Sequence, residues 1–210
     1  MSLQSLGLNL HRRQLMGIMG AAATSAMIVG GAQAAVAQSD PAEVAKLNAV
    51  FDTMFNGLLK LSPTLCSYLG LDTGDLAYQK SKLDHTSRAE REKYIAYLKA
   101  GIAALKALDR NMLQGMDRVN LDTVLWDSEN TLYGQTAFKT MGTPYVITQL
   151  SGSYQSTPDF LDNMHAIATT ADAEAYLARL NEYALVLNEE TDAFVGDAEL
   201  GVLPPDFALT

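Results

Sequence analysis

Two histidines, one cysteine and a few serines and carboxylates set the chemistry open to the body of this 210-residue chain. His85 and His165 stand far apart in sequence, and His11 lies near the start. A peptidase-type zinc site needs two imidazoles one helical turn apart, with a Glu beside them to act as base. Neither histidine has such a partner. His85, within Leu83-Asp84-His85-Thr86-Ser87, reads as a polar residue in the turn leading into a helix. His165, on a short amphipathic helix, reads as a surface or interface residue. Ser151 and Ser153 lack the Gly-x-Ser-x-Gly elbow that presents a nucleophile between strand and helix. Cys66 has no neighbouring base or cation and reads as a buried structural thiol. Asp72 and Asp75 flank Gly74 without the ligand register of a calcium loop. The run Glu189-Glu190-Thr191-Asp192 reads as a solvated helix face. No Gly-rich phosphate cradle is present. The residues therefore predict no catalytic group, cofactor site or metal site within the chain.

One segment keeps a binding role open. Pro144-Tyr145-Val146-Ile147-Thr148-Gln149 breaks the helical period and is flanked by Gly142 and Gly152. Irregular loops held on rigid helices are favoured places for binding residues. Tyr145, Gln149 and Tyr154 are the candidate substrate-facing side chains, and Tyr145 and Tyr154 could equally be packing aromatics.

The elements that position this loop read as helices. Asp40-Pro41-Ala42-Glu43 is a capping-box-like start, followed by Val44, Leu47, Phe51, Met54, Phe55 and Leu58 on one face. That helix ends near Leu61, ahead of Pro63. Ser87-Arg88-Ala89-Glu90 opens a second, burying Tyr94, Leu98, Ile102, Leu105 and Leu108. A third spans Asp117 to about Thr140, with Leu121, Val124, Leu125, Leu132, Tyr133 and Ala137 inward. Met141 to Thr157 is expected to be an ordered loop with room for a short strand at Tyr145 to Thr148. Pro158 starts a short helix reaching Ile167. The last helix is capped by Thr170 and runs to Gly196. Ala173, Tyr176, Leu177, Leu180, Tyr183, Ala184, Leu187, Thr191 and Phe194 form its apolar stripe. The expected fold is all-α, an irregular bundle of about five helices with one ordered loop, forming half of a larger helical protein. Part of the last helix and the Pro144 to Tyr154 loop would face the missing half. Exposed residues are expected among Tyr176, Leu180, Tyr183, Leu187 and Phe194.

Composition supplies an address. Arg12-Arg13 precede a stretch, Gln14 to Ser39, that carries no charge and is rich in Ala, Gly and Met. With small-residue endings at Ala32-Gln33-Ala34 and Ala35-Val36-Ala37, residues 1–37 resemble a twin-arginine export signal cleaved after Ala34 or Ala37. The expected location is periplasmic or secreted, with the twin-arginine machinery as a partner and no stable membrane span after cleavage. All acidic residues lie at or after Asp40 in a chain of net charge −9. With no basic cluster in the sequence, nucleic acid is not an expected partner. A single cysteine excludes an internal disulfide framework.

An ordered set of short pieces runs through the chain. It comprises Ser62-Pro63 with Leu69-Gly70-Leu71-Asp72, then Asp84 with Ser87, and Pro144-Tyr145 with Gln149 and Gly152. Asp172-Ala173-Glu174-Ala175-Tyr176-Leu177-Ala178-Arg179-Leu180 follows, then Gly201 with Pro204-Pro205. Over about Asp40 to Phe207 this set resembles the N-terminal part of the bacterial domain-of-unknown-function family 885. It departs at Cys66-Ser67, where small Ala/Thr-type residues are expected. The resemblance implies a helical protein of several hundred residues, distantly similar to zinc-dependent carboxypeptidases. Its implied site is a His-Glu-x-x-Pro-Gly-His stretch and a later Glu-Gly-Trp helix, neither present here. Residues 38–210 would then be the N-terminal helical portion of an exported zinc-dependent peptidase or hydrolase, one wall of its substrate cleft and not catalytic alone. Zinc would belong to the full-length protein. Its partners would be the missing C-terminal half and a peptide substrate. The alternative is a non-catalytic periplasmic helical binding or interaction module.

Overall fold

A computed structural model describes residues 38–205 except Thr143, so Arg12, Arg13, Ala34 and Ala37 lie outside the described residues. The elements are α1 (Pro41–Leu61), α2 (Pro63–Tyr68), a 3-10 segment (Gly74–Ser81), α3 (Arg88–Lys106), a short 3-10 turn (Arg110–Met112), α4 (Gly115–Thr136), α5 (Ser153–Met164) and α6 (Thr170–Glu199). The fold is all-helical, and the segment expected to be an ordered loop is one, with no strand formed at Tyr145 to Thr148, where the sequence left room for it. None of the described helices is long and apolar enough to cross a membrane.

Local chemistry sets the helix starts. Asp40 accepts from the amides of Ala42 and Glu43, and Pro41 fits a position where no amide donor is needed. Glu43 does not complete the capping box. Its carboxylate, buried against the next turn, accepts from the Asp109 amide at 2.7 Å and from Lys46 at 2.9 Å. Ser87 caps α3 through the Glu90 amide. The cap of α6 is Thr169 rather than Thr170. Its hydroxyl and the Asp172 carboxylate form a reciprocal capping box, a stronger arrangement than a lone threonine. Pro158 does not start α5, which begins at Ser153 and carries Pro158 inside. The start lies earlier because Ser153 meets a buried carboxylate from α6. The helix also ends at Met164, short of Ile167.

Two small cores result. Leu47, Leu105, Leu113 and Leu121 join α1, α3 and α4, with Phe51, Met54 and Leu125 packed around them. Leu83, Phe160, Leu161 and Val186 join α5 and α6 to the strap before α3. The faces expected for α1 and α3 point inward as read. That of α4 does so only up to Leu132, and that of α6 is turned. Tyr133 and Ala137, expected inside, are exposed, Tyr133 by 68%. The rest of the α4 face packs as expected, through Leu121, Val124 and Leu125, with Leu132 half-buried and Ser128 buried beside them. This leaves Met116, Val119, Trp126 and Tyr133 exposed at spacings that place them on one outer face.

On α6, Leu177 and Leu180 are exposed although both were expected inward, and Leu180 belongs to the group in which exposure was expected. Tyr176, Tyr183, Leu187 and Phe194 are half-buried. The turn has a physical reason. The buried residues of α6 are Arg179, Val186, Glu190 and Asp197, a mostly charged row that finds its partners in the surrounding loops.

At the start of this row, Asp172 receives Lys80, the Ala168 and Thr169 amides and the Thr169 hydroxyl. Lys80 first, then these donors, hold its carboxyl well below the ordinary aspartate value. The folded chain therefore releases this proton at lower pH than the unfolded chain. The resulting stability is present above the ordinary aspartate range and is lost as pH falls below it. Denaturation of wild type and Asp172→Asn across acidic pH checks this. A gap at neutral pH should narrow on acidification, and a gap unchanged down to strongly acidic pH would contradict it.

Candidate functional site

The most deeply buried charged side chain among the described residues is Arg179, fully shielded from solvent. Its Nε donates to the Lys82 carbonyl at 2.8 Å and its Nη1 to His165 Nδ1 at 2.8 Å. Its Nη2 donates to Ser67 Oγ at 2.6 Å and to the Gln79 carbonyl at 3.1 Å. The guanidinium also lies 4.8 Å from the centre of the Phe160 ring, within range of a cation–π contact. Ser67 passes the bond on to Asp72 at 2.8 Å. Burial lowers the Arg179 pKa, opposed by the charges of Asp72, Asp84 and Glu182.

His165, read as a surface or interface residue, is buried inside the chain. Because Nδ1 accepts from Arg179, the bond network assigns the proton to Nε2, which donates to the Asp172 carbonyl at 2.9 Å. Both ring nitrogens are thus engaged. Cys66 is fully buried, as expected, and burial pushes its thiol pKa up, away from a reactive thiolate.

Farther along α6, Glu182 accepts from the Leu83 amide at 2.7 Å and from Lys82 at 2.6 Å. Glu189 accepts from the Thr86 amide at 2.9 Å and lies 3.0 Å from His85 Nδ1. Glu190, 6% exposed, takes the Ser153 amide and hydroxyl. Asp197 takes the amides of Met141 and Gly142. The reading of Glu189 and Glu190 as a solvated face is therefore overturned. Each is drawn inward by loop amides that would otherwise be left without an acceptor. A β-carbon on Gly142 would fall 2.2 Å from backbone atoms of Tyr145 and Val146, so only glycine allows the loop to fold back here.

Beside this row opens a groove of about 350 Å³, lined in part by Ser62, Asp84, His85, Thr86, Glu90 and Tyr94. Asp84 accepts from the Ser62 hydroxyl at 2.6 Å and the Thr64 amide at 2.9 Å, capping α2. The Thr86 hydroxyl is buried with no hydrogen-bond partner among the described residues.

The loop candidates are placed less favourably for chemistry. Tyr145 is half-buried and Gln149 exposed. Tyr154 is 44% exposed, and its hydroxyl donates to the Thr148 carbonyl at 2.9 Å while its own carbonyl accepts from Tyr183. Thr148 and Ser151 close the loop through paired hydroxyls and the Thr148 amide.

Zinc does not fit these residues. His165 has no free nitrogen, and the carboxylates nearest His85 already hold backbone amides. Among the described residues no group of His, Cys, Asp and Glu is arranged to hold a metal ion.

The model of the family described as "Bacterial protein of unknown function (DUF885)" matches residues 63–210. The chain belongs to that family. No curated protein and no solved structure matches it. The DUF885 match takes in Arg179, His165 and every carboxylate of the α6 row, and begins after α1. Sequence reasoning missed Arg179, Glu182, Glu190 and Asp197 as a group. Their signal was available, since residues 172, 179, 186, 190 and 197 recur at spacings that keep them on one helical face.

Proposed function

We propose that this chain is the N-terminal helical segment of an exported zinc-dependent peptidase or related hydrolase, forming one wall of a substrate cleft and holding no catalytic group itself. The observation that carries the reading is the α6 row. Its charged side chains, and both histidines in contact with it, are bonded into the scaffold and hold loops in place. Membership of DUF885 supports it only together with the distant likeness to zinc-dependent carboxypeptidases that the sequence resemblance implies. The apolar outer face of α4 supports it too, since a stripe of this kind suits packing against further protein.

In this reading, Arg12 and Arg13 direct the protein to the twin-arginine machinery and thence to the periplasm or beyond. The C-terminal half brings the His-Glu-x-x-Pro-Gly-His stretch and its zinc. The Tyr145, Gln149 and Tyr154 loop faces that half and a peptide substrate. The α4 face alone also favours a second reading, a non-catalytic interaction module.

Metal analysis and peptide hydrolysis decide between them. The 210-residue chain is expected to hold no zinc and cleave nothing. A product extended through a His-Glu-x-x-Pro-Gly-His segment is expected to hold about one zinc per chain and cleave peptides. A tightly held zinc in the shorter chain, lost on His85→Ala or His165→Ala, would overturn the reading. An inert longer product would favour the interaction module.

A further inference from the structure

A second pocket, of about 440 Å³, lies where the first half of α3 meets the end of α4. Arg88, Glu92, Ile95 and Lys99 contribute one face of α3, spaced by four, three and four residues. Phe138 and Lys139 close the other side. Arg91 fixes that side by donating to the carbonyls of Gln135, Phe138 and Thr140.

Cations without a carboxylate partner are concentrated here, and elsewhere among the described residues Lys60, Arg118 and Arg179 stand singly without one, Arg118 and Arg179 being bonded to neutral acceptors. Lys46, Lys80, Lys82, Lys93, Lys106 and Arg110 are each paired with a carboxylate. Arg88, Lys99 and Lys139 have no ion-pair partner among the described residues, and all three line this pocket. Arg91 is bonded to carbonyl oxygens and to the Met141 sulfur, so its charge is uncancelled as well. Against these cations stands only Glu92 among the lining residues. A chain of net charge −9 thus gathers unpaired positive charge around one concavity. Its walls include a buried Ile95 and an exposed Phe138 ring. Like cations brought together repel one another, and an anion between them relieves that repulsion.

We infer that this pocket binds a small organic dianion, a phosphate monoester or a dicarboxylate, carried on an apolar or aromatic body. The cations take the charged head, and Ile95 and Phe138 take the body. The size falls within the usual range for small-molecule sites, roughly 300–1,000 Å³. The inference does not depend on the hydrolase reading, because none of these residues belongs to the α6 row or the loop.

Titration calorimetry of the full chain with phenyl phosphate, phenylsuccinate, inorganic phosphate and phenol tests it. Phenyl phosphate or phenylsuccinate is expected to bind one per chain, at least tenfold more tightly than inorganic phosphate, and phenol not at all. The tighter of the two dianions identifies the headgroup. Binding should weaken with added salt. Lys99→Gln with Lys139→Gln should weaken it at least tenfold, and Glu92→Gln should tighten it severalfold. The gain in Glu92→Gln separates a charge effect from misfolding, since a damaged fold does not improve binding. Failure of both dianions to bind at millimolar concentration would overturn the inference. So would binding indifferent to the lysine pair and to Glu92.

Discussion

Arg179→Ala is expected to destabilise the fold by about 3–5 kcal/mol, the range for removing one partner from a buried charged network. The substitution strips donors from the Lys82 and Gln79 carbonyls, Ser67 Oγ and His165 Nδ1 together. It also opens a cavity against Phe160. The acceptors come from α2, the 3-10 segment, the strap before α3 and the turn after α5, so several connections loosen at once. Urea denaturation followed by circular dichroism reads the loss. Arg179→Lys should recover only part of it, because an ammonium cannot reproduce the planar fork that spans these acceptors. A loss below about 1 kcal/mol for the alanine variant would show that the network is dispensable.

Glu190→Ala comes next, with an expected loss of about 2–3 kcal/mol. The carboxylate takes the Ser153 amide at 2.9–3.0 Å and the Ser153 hydroxyl at 2.8 Å, in a buried setting. Without it, the first turn of α5 keeps a buried donor with no acceptor, next to Gly152 at φ 143°. Glu190→Gln retains an acceptor oxygen and should lose less than half as much. Equal losses for the two variants, measured by the same denaturation, would mean that charge alone matters.

The helical class was legible because periodicity and capping agree in α1 and α3. Asp40, Pro41 and Ser87 mark their starts, and Leu47, Leu98, Ile102 and Leu105 mark buried faces that the structure retains. Cys66 was legible as a buried thiol because its sequence neighbours supply no base or cation. The orientation of α6 was not. Apolar periodicity puts Leu177 and Leu180 inside, whereas the helix buries charges because the loops around it present amides needing acceptors. That demand comes from residues distant in sequence. Ser153 lies 37 residues from Glu190, and Met141 lies 56 from Asp197. Pairings of that range leave no local pattern. Pro158 misled for a related reason, since a proline suits the first turn of a helix but here sits in the second because Glu190 starts α5 earlier.

Backbone hydrogen exchange tests the central claim most directly, that the polar row of α6 is a scaffold holding the loops around it. The amides of Leu83, Thr86, Met141, Gly142 and Ser153 all lie outside helices or at a helix start, yet each donates to an α6 carboxylate. They should exchange as slowly as the interior amides of α3, through global opening. Exchange at the rate of exposed loops would contradict the account, and would return these carboxylates to the pool of groups available for chemistry.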